Sequence, residues 1–503
     1  MRESITLAMA TESLTRYSSG ISGLDSLLRG GFVAERIYLL VGGPGTGKTL
    51  LGSKFLRAGL DAGEDVLFIH GEESHRDLTL NAERLGIDLD GADFLDLGPE
   101  SEFFTEERSY DLVNPQDVEY QSYIEDIREA VEEVDPNRVL IDPISQLQYV
   151  ETNEYQFRKR MIAFMRFLKD RGTTVVATKT VKGRSDQLQS LSDGVLTLER
   201  DDIGRRIDVV KHRGVGERTG THGMTIRDGG IEVFPSLVPE NHDSEFDPTQ
   251  IISGIEGFDS LLGGGIERGT VTILSGPSGV GKSTTATEFL ETVASSGDNA
   301  VAYLFEESKN MFVRRSETFD IPVTDLCDRG TLELESIDPL TQSAEEFGQR
   351  ARAQVEERDV DLVVIDGIDG YKSSLYGEEG MLARKLHALT RYLKNTNVAV
   401  VLIDEIGEMT GLQSPTSSNI SYIADNIMFL KYVELNGQLK RVAGVVKKRI
   451  GDFEDTLREF AITGDGITVG EPITDVQGIL SGTPERARER RHSDETDVRP
   501  SGE

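Results

Sequence analysis

The sequence predicts an α/β protein made of two tandem P-loop NTPase domains, each a mostly parallel sheet flanked by helices. Three observations carry that reading. A glycine-rich loop occurs twice, Gly42-Gly43-Pro44-Gly45-Thr46-Gly47-Lys48-Thr49 and Gly276-Pro277-Ser278-Gly279-Val280-Gly281-Lys282-Ser283, each behind a Val/Ile/Leu run. That is the strand, loop and helix order a phosphate-binding loop requires. The loop lysines Lys48 and Lys282 stand 234 residues apart, and Glu72-Glu73 recur as Glu306-Glu307 at the same offset. A register shared over such a period marks duplicated whole domains rather than a solenoid of short repeats.

The elements follow from periodicity. In the first half, 66–70 is an apolar strand, 75–85 a helix stopped by Gly86, and 139–141 a buried strand ending at Asp142. Met161, Phe164, Met165 and Leu168 then recur at helical spacing, a core stripe before Gly172, and 173–178 is the next strand. The second half repeats the alternation with 300–305, 362–365 and 398–403 as strands. Strands alternating with helices imply a parallel sheet with sites at the carboxyl ends of its strands. The boundaries expected are 1–238 for the first domain, 239–250 for a polar, proline-bearing linker, 251–470 for the second domain and 471–503 for a disordered tail without apolar periodicity.

The formal charge is −34, from 88 Asp+Glu against 54 Lys+Arg. Such a surface repels phosphate backbones, which argues against duplex DNA and anionic membrane as partners. The acidity serves either general solubility or hydration in a salt-rich cytosol, and its spread along the chain favours the second. One cysteine, Cys327, excludes an intrachain disulfide. With no apolar leader or ~18-residue apolar run, this points to a cytoplasmic protein.

The loop glycines let backbone N–H groups turn toward phosphate oxygens, and the following helix N-terminus adds its dipole. Lys48 and Lys282 are expected to reach the β and γ phosphates of ATP, and the hydroxyls of Thr49 and Ser283 to hold Mg²⁺. A carboxylate at the end of a neighbouring buried strand completes such a site, and Asp142 and Asp366 fit. Glu72-Glu73 and Glu306-Glu307 each follow a strand, 24 residues beyond the loop lysine. One member of each pair is the candidate general base, its proton affinity raised by the neighbouring acid. Late basic motifs also recur, Lys211-His212-Arg213 and Lys447-Lys448-Arg449. Lys211, Arg213, Lys447 and Arg449 are either cationic fingers reaching a neighbour's γ-phosphate in an oligomer or surface charges in a monomer. His212 reads as structural, and no zinc-type spacing is present.

Taken together, the motif Gly20-Ile21-Ser22-Gly23-Leu24-Asp25, the loop, the Glu pair, the Asp-ended strand and the late Lys-x-Arg, in this order in both halves, resemble the KaiC family of RecA-like ATPases. The resemblance covers nearly the whole chain. It implies a double-ring homohexamer with ATP between subunits, which gives the Lys-x-Arg motifs a trans role. It also implies an autokinase in the second domain, acting on adjacent Ser and Thr. The matching segment runs Thr416-Ser417-Ser418-Asn419-Ile420-Ser421-Tyr422-Ile423-Ala424-Asp425, so Ser421 falls on the Ser position, Thr416 on a nearby Thr, and Tyr422 replaces the second acceptor. Ile450 stands where Gly214 keeps the family's glycine. Gly478-Ile479-Leu480-Ser481-Gly482-Thr483-Pro484 resembles the lead into a regulatory tail, whose Arg486, Arg488, Arg490 and Arg491 bind a regulatory protein or stay solvated. The acidity adds a lineage expectation, a salt-adapted archaeal member.

The function expected is Mg²⁺-dependent ATP hydrolysis with Ser/Thr autophosphorylation in the second domain. Against it stand an ATP-dependent assembly module without kinase activity and, opposed by the charge, a recombinase-type DNA ATPase.

Overall fold

The computed structural model describes residues 14–98, 115–145, 154–180, 186–201, 204–216, 220–238, 247–373, 379–407, 416–417, 420–435, 437–464, 466–474, 476–477 and 485–486. The chain divides into two compact units, Met1–Ser236 and Leu237–Glu503. Leu237 packs against the core of the second. Linker residues 239–246 lie outside the described residues.

The first unit runs β1 (Ile37–Gly42), α1 (Lys48–Asp61), β2 (Val66–His70), α2 (His75–Arg84), β3 (Asp93–Asp96), α3 (Pro115–Val134), β4 (Arg138–Asp142), α4 (Glu154–Asp170), β5 (Thr174–Lys179), β6 (Gly194–Arg200), β7 (Arg205–His212), β8 (His222–Arg227) and β9 (Gly230–Phe234). These strands form a nine-stranded sheet in the order β9-β8-β7-β6-β1-β5-β4-β2-β3. From β6 to β3 every pairing is parallel, and β7 to β9 extend the sheet antiparallel.

The second unit repeats this with β10 (Val271–Gly276), α5 (Lys282–Ser295), β11 (Asn299–Leu304), α6 (Lys309–Glu317), β12 (Leu332–Ser336), α7 (Ala344–Arg358), β13 (Val360–Asp366), α8 (Glu379–Asn395), β14 (Ala399–Glu405), β15 (Asn426–Leu435), β16 (Gln438–Lys448), β17 (Arg458–Thr463) and β18 (Gly466–Pro472). The order is β12-β11-β13-β14-β10-β15-β16-β17-β18, again nine strands. Both units are therefore mostly parallel, helix-flanked sheets of the RecA-like kind.

The central strands are buried on both faces, which is why they read as unbroken apolar runs. On β1, Tyr38 and Leu40 join Leu51, Phe55 and Leu56 of α1 on one face. Ile37, Leu39 and Val41 join Met161, Phe164, Met165 and Leu168 of α4 on the other, so the α4 stripe is core as expected. Each such side chain contributes roughly 1.5–3 kcal/mol on burial. In the second unit Leu274 faces one cluster while Val271 and Ile273 face the other.

Two carboxylate devices recur. Asp25 accepts from the Ser19 amide (2.7 Å) and Asp259 from that of Ser253 (2.7 Å), closing the turn before a short helix in each unit. Asp193 and Asp425, both buried, accept from the first amide of the loop strand, Ile37 N (3.1 Å) and Val271 N (3.0 Å). Each also pairs with a lysine, Lys169 or Lys394, and with an arginine, Arg213 (3.5 Å) or Arg449 (3.0 Å).

At the carboxyl end the order continues past residue 470. β18 runs to Pro472, the Ile473 amide donates to Leu457 O (2.7 Å), and Val476–Gln477 pairs antiparallel with Glu485–Arg486. Edge pairing supplies there what periodicity does not. The segment 478–484 and Arg488, Arg490 and Arg491 lie outside the described residues. Among the described residues no helix is long and apolar enough to cross a membrane.

Candidate functional site

Both loops are built on glycine geometry. Gly47 and Gly281, the residues preceding α1 and α5, have φ of 101° and 114°. A Cβ on Gly281 would stand 2.3 Å from Cδ1 of Ile462, and one on Gly47 2.8 Å from Cδ1 of Ile226. Left-handed backbone and close approach both demand glycine here.

Each lysine lies over its own loop. Lys48 Nζ donates to Gly42 O (2.9 Å) and Gly43 O (2.8 Å), and Lys282 Nζ to Gly276 O (2.8 Å) and Pro277 O (2.9 Å). Thr46 Oγ1 also donates to Gly43 O (2.9 Å). Burial pushes both ammonium groups below their ordinary pKa, against carboxylates that favour the charged form. Those carboxylates are Asp142 and Glu72 around Lys48, and Glu405, Asp366, Glu306 and Asp404 around Lys282. The predicted lysine thus lies within electrostatic reach of the strand-end aspartate and the first glutamate in both units.

The second unit opens a cleft of about 510 Å³ between loop and sheet, lined among others by Lys282, Ser283, Glu306, Glu307, Arg315 and Asp366. Ser283 Oγ donates to Asp366 Oδ1 (3.1 Å), and burial raises the Asp366 carboxyl above its usual range. These are hard oxygen donors, and they fit Mg²⁺, which takes one or two protein oxygens and fills its octahedron with phosphate and water. Among the described residues no group of three or more His, Cys, Asp and Glu could hold an ion without such help. The first unit differs. Asp142 accepts from Thr178 of β5, whereas Ile403, which pairs with Asp366 across the sheet, offers no hydroxyl.

The glutamate pairs sit in the turn from β2 to α2 and from β11 to α6. Ser74 and Ser308 cap the two helices, accepting from Asp77 N (3.2 Å) and Met311 N (3.4 Å). A Glu-Glu-Ser string after an apolar run is a sequence signal for this turn, because the serine oxygen satisfies an orphan helix N–H. Glu306 packs on Gly367, where a Cβ would approach its Cγ to 2.7 Å. Burial first, then Asp366 and Glu405, raises its proton affinity. Glu307 is held by Arg315 (2.6 Å).

The basic motifs lie elsewhere. Lys211 Nζ donates to Gln189 O (2.9 Å) and Ser192 O (2.6 Å), and Lys447 Nζ to Ser421 O (2.9 Å) and Ala424 O (2.7 Å). Arg213 and Arg449 join the buried aspartates described above. All four therefore stand at the amino ends of β1 and β10, a strand length from their own loops at roughly 3.3 Å per residue. His212 is buried against the Tyr38 hydroxyl (3.2 Å) with its pKa lowered to about 4, a neutral structural residue. Ser421 shares the amino edge with Lys447, while Thr416 is buried.

Four participants carry no motif. Asp404 and Glu405 end β14 beside Lys282, and Asp404 holds Ser417 through its amide (2.8 Å) and hydroxyl (2.5 Å). An acidic pair directly after the apolar run 398–403 is the signal that could have found them. Tyr432, whose hydroxyl donates to Gly279 O (2.7 Å), lies under the Arg441 guanidinium, and Arg441 lines the cleft. These two come from antiparallel strands far along the chain, and nothing local in sequence marks them.

A family model described as the KaiC ATPase matches residues 17–238 and again residues 251–473. Similar curated proteins include the circadian clock oscillator protein KaiC of Acaryochloris marina, 27% identical over 94% of this chain and 92% of that relative. The protein of the same name from Prochlorococcus marinus is 28% identical, covering 94% of each. The circadian clock protein KaiC3 of Synechocystis is 26% identical over 94% of this chain and 95% of the relative. With both halves matched and both sheets, loops and glutamate turns duplicated, the chain belongs to the KaiC ATPase family, as a protein of two tandem domains.

Proposed function

We propose that both domains bind and hydrolyse ATP with Mg²⁺, and that the second also transfers the γ-phosphoryl group to Ser421 of an adjacent subunit. The observation that carries this reading is the second cleft, where Lys282, the Ser283–Asp366 pair and Glu306 converge behind one glycine loop. Lys282 holds the β and γ phosphates, and the loop amides orient them. Ser283 and Asp366 would hold Mg²⁺, which supplies charge neutralisation on the phosphate oxygens. Glu306 takes the proton of the attacking hydroxyl; the new bond forms between Ser421 Oγ and the γ-phosphorus. The bond to the β–γ bridging oxygen breaks, and ADP leaves with that electron pair. In the first domain water replaces the hydroxyl, and Glu72, near Lys48, takes its proton.

The trans assignment is supported by the shared edge of Ser421, Lys447 and Arg449. A neighbouring cleft facing that edge receives acceptor and cations together, as a homo-oligomeric ring requires. Phosphopeptide mass spectrometry after incubation with Mg-ATP at high salt tests the reading. Phosphate on Ser421 that disappears in Glu306→Gln/Glu307→Gln is expected; unchanged phosphate in that variant contradicts it.

One observation favours a second reading, an assembly module in which ATP binding organises subunits. Lys211, Lys447, Arg213 and Arg449 all have partners in their own chain, so none needs a neighbour's phosphate. Oligomers that require ATP yet never hydrolyse it would establish that alternative.

A further inference from the structure

The duplication supplies an internal control for the stretch from the loop through α6, where positions 234 apart correspond. Glu307 corresponds to Glu73, and both are carboxylates. Their supports are not alike. Arg315 Nη2 donates to Glu307 Oε1 at 2.6 Å, its guanidinium lies over the Phe312 ring at 5.0 Å from the centroid, and its Nη1 reaches Thr284 Oγ1 at 3.4 Å. At the corresponding positions the first domain has Asn81, Leu78 and Leu50. There the only contact of this set is Asn81 Nδ2 to Glu73 Oε2, at 3.4 Å. Aromatic platform, hydroxyl and cation thus occur together in one copy and are all replaced in the other.

The assembly ties three elements together. Thr284 stands in the first turn of α5, next to Ser283 of the loop. Phe312 and Arg315 stand on α6, and Glu307 in the turn that also carries Glu306. An arginine fork stacked on an aromatic ring is pre-organised, so it fixes a carboxylate at less entropic cost than a lysine or an amide. We infer that Arg315 is a positioning residue peculiar to the second domain: by holding Glu307 it fixes the turn that aims Glu306 into the cleft. In the first domain the corresponding turn is held differently, at its backbone, where buried His70 Nδ1 meets Glu73 O at 3.0 Å, and the glutamate side chain has only the amide contact. The inference rests on ATP turnover in the second domain as proposed above.

The test uses the full-length protein carrying Lys48→Ala to silence the first loop, with kcat and KM for Mg-ATP measured alongside melting temperature. Arg315→Asn, which installs the first domain's residue, is expected to lower kcat about tenfold, the equivalent of one charge-assisted hydrogen bond. KM should stay within about twofold, and Arg315→Lys, which keeps the charge without the stacked fork, should recover only part of the loss. Should Arg315→Asn melt early, Arg315→Gln carries the same expectation with side-chain length kept. An unchanged kcat, a rise in KM alone, or a lysine variant no better than asparagine would overturn the assignment. No turnover at all in the Lys48→Ala parent would instead overturn ATP hydrolysis by the second domain, and this inference with it.

Discussion

Lys447 Nζ donates to the carbonyl oxygen of Ser421 across 2.9 Å, which fixes a candidate cation and a candidate phosphoacceptor at one edge of the second sheet. The loop that would hold the phosphate lies at the opposite ends of the same strands. Geometry within one chain therefore separates donor from acceptor.

Lys447→Ala is accordingly expected to lose phosphate on Ser421 in the assembled protein while leaving the fold of its own loop intact. Phosphopeptide mass spectrometry and nucleotide binding by the isolated subunit measure the two effects. Loss of nucleotide binding by the isolated subunit would place Lys447 in its own cleft instead.

The Asp425 carboxylate is buried and satisfies the Val271 amide, Lys394 and Arg449 at once. Asp425→Ala should cost about 3–5 kcal/mol, because it strands buried partners. Asp193→Ala should mirror it in the first domain. Denaturant titration reads both, and a loss below about 1 kcal/mol would reduce the hub to an incidental contact.

Burial, with Glu291 nearby, lifts the pKa of Glu288 from its ordinary range to about 7. The native state then binds more protons than the unfolded chain between about pH 4.5 and 7, so this residue's contribution falls as pH rises through that window. Glu288→Gln should therefore leave stability nearly unchanged below pH 4.5 and raise it by about 3 kcal/mol above pH 7. Equal gains at both ends of the range would assign the effect to packing.

At Gly281 two demands coincide, a φ of 114° and the 2.3 Å approach of Ile462. Gly281→Ala should weaken ATP binding through about 1–3 kcal/mol of backbone strain. Adding Ile462→Ala removes the clash and leaves the strain, so binding should recover only in part. Full recovery would mean that the contact alone demanded glycine.

Strands, loops and glutamate turns were legible because each is local: an apolar run, a glycine pattern, an acidic pair directly after a strand. Asp142 and Asp366 were legible because they end such runs. The buried aspartates Asp193 and Asp425 were not, since the amides they accept from lie more than 150 residues earlier. Arg441 reaches the cleft through antiparallel pairing, which sequence alone does not register. The two sites also differ by substitutions that are bland in isolation, Thr178 against Ile403 and Asn81 against Arg315. Their meaning emerges only when both copies are folded and compared. Past residue 470 charge hides a strand end, because an edge strand needs no apolar face to pair.

The most direct measurement mixes two full-length variants with Mg-ATP, one Lys282→Ala with Ser421 intact, the other Ser421→Ala with its loop intact, and locates phosphate by mass spectrometry. Phosphate on Ser421 of the Lys282→Ala chain, absent when either variant is incubated alone, is the result expected of transfer between subunits. No phosphate in the mixture, with Ser421 phosphorylated in the wild-type protein, would contradict it and place the reaction within one chain.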